Sequence, residues 1–472
     1  MSETHQRTLE LQRDRVLALL VRFGREATSF QILEPDLSYW FRGSDAVVAY
    51  TDVAGAWVTA GEPVCAAEQL ARVVADFQAA ASEAGKRARF FHVSAELLAH
   101  TELAHTHVGE LPVWDPSEWD ATVKRARSLR EQLRRARAKG VSTRMADAAE
   151  LLDTTGHVRT QCDALTRRWL GGRGMSELKF MVRVHPYGYA HERRFVLAER
   201  AGQVVGFAVA IPIYQRGGWF IEDLVRDGSA PNGTAELLVD TAMREFARSG
   251  SRYATLGLAP LAGEVRPLLA LTRNYTSRLY NFPGVRSFKD KLRPKRWEPV
   301  YLAYPRGELG LLAMRDVLAA FAPAGLLRFG LETLVHQRTL ATLLLAVFLV
   351  PWTLALTALQ SDIWFPSAEI QFAWAIFDMI LVALMFTLVQ RWRARVAELL
   401  VVLTTLDALL TSVQVLFWNV WTARTLAAWL LVLLGCSGPL LAATFFWSAR
   451  RVAVQGRRLR ASLAPPRARL ER

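Results

Sequence analysis

The sequence predicts a two-part chain: an α/β region built from two similar halves, then an α-helical membrane domain of four spans. Three observations predict it. A strand–strand–helix–strand order occurs twice before residue 305. Four apolar runs follow residue 338, each about the ~20 residues a helix needs to cross the hydrocarbon. Arginines gather in alternate connections between those runs, as the positive-inside rule requires.

In the first half (residues 1–149), a charged helical segment leads into turn-rich sequence. Two β-rich runs follow, Ala46–Tyr50 and Ala56–Ala60, joined across Asp52–Gly55. The stretch AAEQLARVVADFQAAASEAG has helical periodicity and stops at Gly85, and ARFFHVS reads as a short strand. In the second half (residues 150–305), RFVLAER and VVGFAVAIPIY form a hairpin across Ala201–Gly202. Strand Trp219–Val225, helix Thr234–Ser249 ended by Gly250, and strand YATLGLA complete it. The two halves share element order, not residue identity.

Between them lies KRARSLREQLRRARAKGVSTR, Lys124–Arg144, with nine Lys or Arg and a single acid, Glu131. Arg127, Arg130, Arg134 and Arg137 fall on one helical face, with Gly140 as the cap. Such a stripe can follow the phosphates of a nucleic-acid strand or lie on anionic lipid. A plain solvated face is the alternative.

The spans are Thr339–Leu359, Ile370–Leu388, Leu399–Val420 and Leu426–Trp447, the first containing Pro351. Ser361–Glu369 carries only acids, and the third connection carries Arg424 alone. Gln390–Glu398 carries Arg391, Arg393 and Arg395, and the tail begins with Arg450 and Arg451. The expected topology is a multi-pass inner-membrane protein with the α/β part and both termini cytoplasmic. Asp378 and Asp407 lie inside spans two and three, facing either a wet path or a polar contact that locks the bundle. Residues 306–337, broken near Pro323 and Gly325, are amphipathic. They read as an interfacial linker on the membrane surface, or else as a helix packed on the α/β part.

A net charge of +14 and a pI near 10.1 call for polyanionic partners, nucleic acid or an anionic bilayer. Cys65, Cys162 and Cys436 form no CxxC or Cys/His pattern, which excludes a disulfide framework and a zinc site. The first residues read as a charged helix rather than a signal peptide.

The segment Trp219–Tyr304 carries the chemistry. Asp223 and Arg226 close a strand, where aspartate can deprotonate a hydroxyl and arginine can hold a phosphate; a strand-end ion pair is the alternative. The loop Asp227–Gly233 opens a helix, and Asn232 and Gly233 at its mouth offer amides to an anion or an oxyanion. A coenzyme A-dependent acetyltransferase would place an Arg/Gln-x-x-Gly-x-Gly/Ala loop there. RDGSAPNGTA does not fit it, nor does RWLGGRG (Arg168–Gly174), which follows a helix. Arg286, Lys289 and Lys291 with Trp297, Glu298 and Tyr301 mix cations and aromatics in the way a nucleotide-stacking surface does, or a packed terminal strand with a basic rim.

These residues resemble the C-terminal catalytic domain of phosphatidylglycerol lysyltransferases, over roughly residues 25–305. The matches run in order: Asp223-Leu-Val-Arg226, Ala230-Pro-Asn-Gly233, Leu256-Gly-Leu-Ala-Pro-Leu261, Asn281-Phe-Pro-Gly284, then Arg286, Phe288-Lys289, Lys291, Pro294, Trp297-Glu298 and Tyr301-Leu302. Upstream, Gly61-Glu62-Pro63 is similar to the family's G-D-P turn, and Leu129-Arg130 to Gly140 to its basic helix. The resemblance implies a tandem GNAT-like pair and an active site at Asp223 and Arg226. It implies that Lys289 and Glu298 help bind the aminoacyl end or the lipid. It implies transfer of an aminoacyl group, lysyl or alanyl, from aminoacyl-tRNA to a lipid hydroxyl, with aminoacyl-tRNA as co-substrate and no further cofactor. The departures are four spans after the catalytic part, no counterpart of the family's N-terminal membrane domain, and one extra residue between Pro294 and Trp297. The competing expectations are a membrane-tethered GNAT-type transferase with another acyl donor or a peptide or amine acceptor, and a non-catalytic basic protein.

Overall fold

The computed structural model describes residues 3–171, 180–260, 282–322, 325, 338–358 and 364–462. The chain divides into two compact units, with the boundary at Phe329–Gly330.

In the first unit the strands are β1 (Ser38–Arg42), β2 (Ala46–Val53), β3 (Ala56–Ala60), β4 (Arg87–Val93), β5 (Ala104–Trp114) and β6 (Ser142–Ala146). They continue with β7 (Arg194–Arg200), β8 (Gln203–Ile213), β9 (Gly218–Arg226), β10 (Ala254–Thr255), β11 (Ala259–Pro260) and β12 (Arg296–Tyr304). Its helices are α1 (Glu3–Phe23), α2 (Leu70–Glu83), α3 (Ala95–Ala99), α4 (Trp119–Arg125), α5 (Arg127–Ala138), α6 (Ala148–Leu152), α7 (His157–Gly171), α8 (Thr234–Arg248), α9 (Phe282–Lys291) and α10 (Gly310–Phe321).

All twelve strands form one sheet, in the order β1-β2-β3-β4-β12-β5-β10-β9-β8-β7-β6, with β11 beside β5. The two halves therefore share a single sheet. β12, the last strand, lies antiparallel between β4 and β5, inside the first half's portion. The pairs β3–β4 and β9–β10 are parallel and the rest antiparallel. Both predicted hairpins form, with Ala54–Gly55 and Ala201–Gly202 at positive φ, the turn geometry that matches strand twist.

Four apolar clusters cover the sheet. In the first half α2 buries Val73, Val74 and Phe77 on one face. Leu20 of α1 and Val317 of α10 lie on the other. In the second half α5 and α8 cover one face through Leu129, Leu133, Leu238 and Phe246. Cys162 and Leu165 of α7 cover the opposite face.

Two elements differ from expectation. The basic segment is not one helix: it breaks at Ala126 (φ −86, ψ 89), giving α4 and α5, and β6 takes up its last residues. YATLGLA yields only the two-residue strands β10 and β11, because Gly257 at φ 73 bends the chain between them. The described part of the 306–337 linker takes the form of the packed-helix alternative. There α10 packs on the sheet, and its Asp316, with no exposed side-chain area, pairs with Arg89 at 3.1 Å and Arg87 at 3.0 Å. Leu311 and Leu318 point outward from it.

The second unit contains α11 (Arg338–Ala358), α12 (Ala368–Gln390), α13 (Ala394–Gln414) and α14 (Leu426–Ser462). α13 continues through a π turn, Val415–Asn419, to Thr422. Among the described residues, four stretches are long and apolar enough to cross a membrane: Thr339–Ala358, Ala368–Gln390, Ala394–Thr422 and Leu426–Arg451. Ala346, Leu381, Met385, Leu388, Leu400 and Phe446 pack between them, while Phe372, Phe417 and Trp421 face outward, as suits hydrocarbon surroundings.

Candidate active site

Two of the β-bulges in the middle of the large sheet carry ionisable residues. On β9, Ile221 pairs with Ala210 and Asp223 with Val209, leaving Glu222 as the extra residue. On β4, Phe91 pairs with Leu302 and Val93 with Tyr301, leaving His92 as the extra residue. A bulge re-aims the side chain it carries.

Glu222 is thereby drawn into a buried polar cluster with Gln31, Glu34, Arg193 and Asp223. Gln31 Nε2 donates to Glu222 Oε1 at 2.9 Å, and Arg193 Nη1 donates to Oε2 at 2.6 Å. Asp223 is 7% exposed and Glu34 8%. Burial, then the negative charges of Glu222 and Asp223, push the Glu34 carboxyl up to about 9, against the pull of Arg193. Glu34 therefore keeps its proton at neutral pH. Glu222 pairs with Arg193, and Asp223 lies buried beside it on the strand.

Beyond the bulge, strand alternation puts Asp223 and Val225 on one face of β9, with Leu224 and Arg226 on the other. Arg226 donates to the Ala230 carbonyl at 3.3 Å and so braces the following loop.

Lys289 of α9 is buried and points back to the β10–β11 bend. Its Nζ donates to the carbonyls of Gly257 at 2.6 Å and Leu258 at 2.8 Å. Burial alone lowers its pKa to about 7. His92 sits at φ 63, a conformation that costs a non-glycine residue about 1–3 kcal/mol. Burial, with the charge of Lys289 behind it, lowers His92 to about 4, so it is neutral in the fold.

The other predicted residues separate from this centre. Glu298 belongs to an ion cluster at the start of β9. There it accepts from Arg296 at 2.6 Å, from Arg216 at 3.5 Å and from the Tyr253 hydroxyl at 3.0 Å. Arg216 also holds Glu26 at 2.9 Å. Glu62, of the Gly61-Glu62-Pro63 turn, accepts from the Ser94 amide and hydroxyl, both at 2.7 Å, and burial pushes it up to about 7. Arg286 covers the Trp297 ring at 3.4 Å and pairs with Glu110, which leaves that indole face filled. Tyr301 packs edge-on against His105 and His107. Lys291 and Asn232 are exposed.

The mouth of α8 is not an open anion cradle. Gly233, at φ 94, lies so close to α5 that a Cβ there would sit 2.1 Å from the Gln132 carbonyl oxygen. The helix start is used to seat α5, and Gly233 is required for that approach.

On α5, Leu129, Leu133 and Ala136 are buried, while Arg127, Arg130, Arg134 and Arg137 are exposed. Arg130 donates to the Val123 carbonyl at 3.2 Å and to the Lys124 carbonyl, closing the end of α4. Arg137 holds the buried Asp240 at 3.0 Å, and Arg134 pairs with Glu131 at 2.9 Å. Arg127 also borders a neighbouring groove with Arg125, Arg293 and Lys295.

Residues 17–304 match the family model described as phosphatidylglycerol lysyltransferase, C-terminal, which is more than half of the chain. The chain belongs to this family. A phosphatidylglycerol lysyltransferase of Bacillus subtilis (strain 168) is 24% identical over 304 residues, which is 62% of this chain and 35% of the relative. One of Staphylococcus xylosus is 23% identical over 58% of this chain and 33% of its own length. The chain thus spans about a third of the curated lysyltransferases it matches. Among solved structures, a C-terminal domain of the DUF2156 type from Agrobacterium fabrum superposes with a TM-score of 0.58 at 24% identity, covering 66% of this chain and 97% of that one. L-PGS from Bacillus licheniformis gives 0.57 at 21%, covering 65% and 96%. The fold is the tandem GNAT-like α/β class followed by four apolar helices, and the matched segment ends with β12 at Tyr304.

Among these buried polar residues, the sequence pointed to Asp223 and Lys289. It missed Gln31, Glu34, Arg193 and His92, which lie outside the motif block and carry no local pattern. Glu222, beside Asp223, was the one available signal; the bulge that turns it inward was not.

Proposed function

We propose that this chain transfers an aminoacyl group, lysyl rather than alanyl, from aminoacyl-tRNA to a hydroxyl of an anionic phospholipid such as phosphatidylglycerol. The observation that carries the reading is the buried Glu34–Glu222–Asp223 carboxylate cluster within the segment that matches the lysyltransferase family. Carboxylates held there can receive the ammonium of a lysyl group. Family membership supports the transferase chemistry, and the names of the relatives support a lipid acceptor.

The chemistry is ester exchange. The lipid hydroxyl attacks the aminoacyl carbonyl, a new C–O bond forms, and the C–O bond to the tRNA ribose breaks. One proton leaves the attacking hydroxyl, taken by Asp223, and one reaches the ribose oxygen. An aminoacyl ester is already activated, so most of the task is holding the two substrates together. Lys289 fixes the β10–β11 bend. Arg127 and Arg134 of α5 face the tRNA backbone, and aminoacyl-tRNA is the only co-substrate required. Arginine-rich connections at 390–398 and after Trp447 support a cytoplasmic position for the catalytic part and the tail at the inner membrane.

The test supplies labelled lysyl-tRNA or alanyl-tRNA to membranes containing the full chain. Labelled lipid from lysyl-tRNA, abolished by RNase, is the expected result. Transfer that survives RNase would instead identify a transferase with a different donor, and transfer to protein would point to an amine acceptor.

A further inference from the structure

The membrane unit contains a cavity of about 480 Å³, within the size range of ligand pockets. Its walls are mainly leucine, phenylalanine and tryptophan, yet Asp378 and Asp407 open onto it. Both aspartates are buried, 4% and 5% exposed. Each has one described hydrogen bond: Asp378 accepts from Thr353 at 3.1 Å and Asp407 from Thr411 at 3.3 Å. Neither has a basic partner among the described residues.

Two carboxylates at membrane depth require a cation, protons or water. Water is poorly accommodated, since a wet cavity needs several polar partners per molecule and most of this surface is apolar. Trp352, Trp364 and Trp374 also line the space. Indole faces beside carboxylates are the surroundings an ammonium prefers. The apolar remainder suits a hydrocarbon chain.

From this geometry we infer that the four-helix unit binds an amine-bearing lipid, its ammonium between Asp378 and Asp407 and its chain along the leucine walls. The site is separate from the transferase pocket. The identity of the natural occupant rests on the proposed function, because an aminoacylated lipid carries such an amine; the amine site itself does not.

The experiment is native mass spectrometry of the full chain in dodecyl maltoside, with lysyl-phosphatidylglycerol, phosphatidylethanolamine and phosphatidylglycerol at equal concentration. Dodecylammonium and dodecanol serve as minimal probes. Retention of the amine lipids and dodecylammonium should exceed that of phosphatidylglycerol and dodecanol at least tenfold. Asp378→Asn with Asp407→Asn should abolish the difference. So should Gly438→Leu, which fills open space in the cavity wall and improves helix propensity, so that it blocks the site without threatening the fold. Equal retention of ammonium and alcohol, or full retention by both variants, would overturn the inference. Preference for the lysyl lipid over phosphatidylethanolamine identifies the reaction product as occupant, and equal binding identifies lipid amines in general. Labelled transfer from lysyl-tRNA, measured on the same variants, reports on the transferase separately, so either reading can fail alone.

Discussion

At the residue scale, the site depends on ionisable groups held away from water. Asp223 is the group that takes the proton in the proposed reaction. Asp223→Asn keeps the shape and removes the base, so kcat should fall about 10²–10⁴-fold with the thermal midpoint little changed, as measured by labelled-lipid formation. Glu34 allows a pH test. Its folded pKa is raised from 4.5 to about 9, so between those values the folded state holds a proton that the unfolded state releases. This group's contribution to stability therefore falls as pH rises through that window. Glu34→Gln should gain on the parent protein in melting temperature, more at pH 8 than at pH 5. An equal gain at both would show that Glu34 is not held protonated.

At the element scale, the β-bulges and the seat of α5 do the positioning. Gly233→Ala meets two obstacles at once, a φ of 94 and a backbone oxygen 2.1 Å from the new carbon. It should cost more than about 2 kcal/mol and loosen α5, weakening tRNA binding along with the melting temperature. The stripe on α5 divides by role: Arg130 and Arg137 tie the helix to α4 and Asp240, while Arg127 and Arg134 project outward. Arg127→Glu with Arg134→Glu should therefore leave folding intact. It should lower the slope of log Kobs against log salt for tRNA by about 2. Unchanged binding at two salt concentrations would remove α5 from the interface.

At the scale of the whole first unit, one sheet joins both halves, and the chain returns through β12 to complete the first half. α10 then locks onto that half through the Arg87–Asp316–Arg89 group, with Glu308 on Arg89 as well. Asp316→Ala would leave Arg89 buried without its main partner. The expected loss is about 3–5 kcal/mol, read as a drop in the denaturation midpoint of the full chain.

The sequence by itself determined the class of fold, the four apolar spans and the family. These are encoded locally: hairpin turns at Ala54–Gly55 and Ala201–Gly202, helix stops at Gly85 and Gly250, runs of apolar residues, and a motif block read in order. Only the tertiary structure decided which charges meet. Gln31, Glu34, Arg193 and Glu222 come from separate elements, and they converge because a bulge on β9 shifts the facing of one residue and burial then couples their charges. Folding also gives Glu298 and Trp297 partners: Arg216 joins Arg296, its near neighbour in sequence, on Glu298, and Arg286 covers Trp297. Local pattern carries the elements, and long-range electrostatics in a low-dielectric interior carries the site.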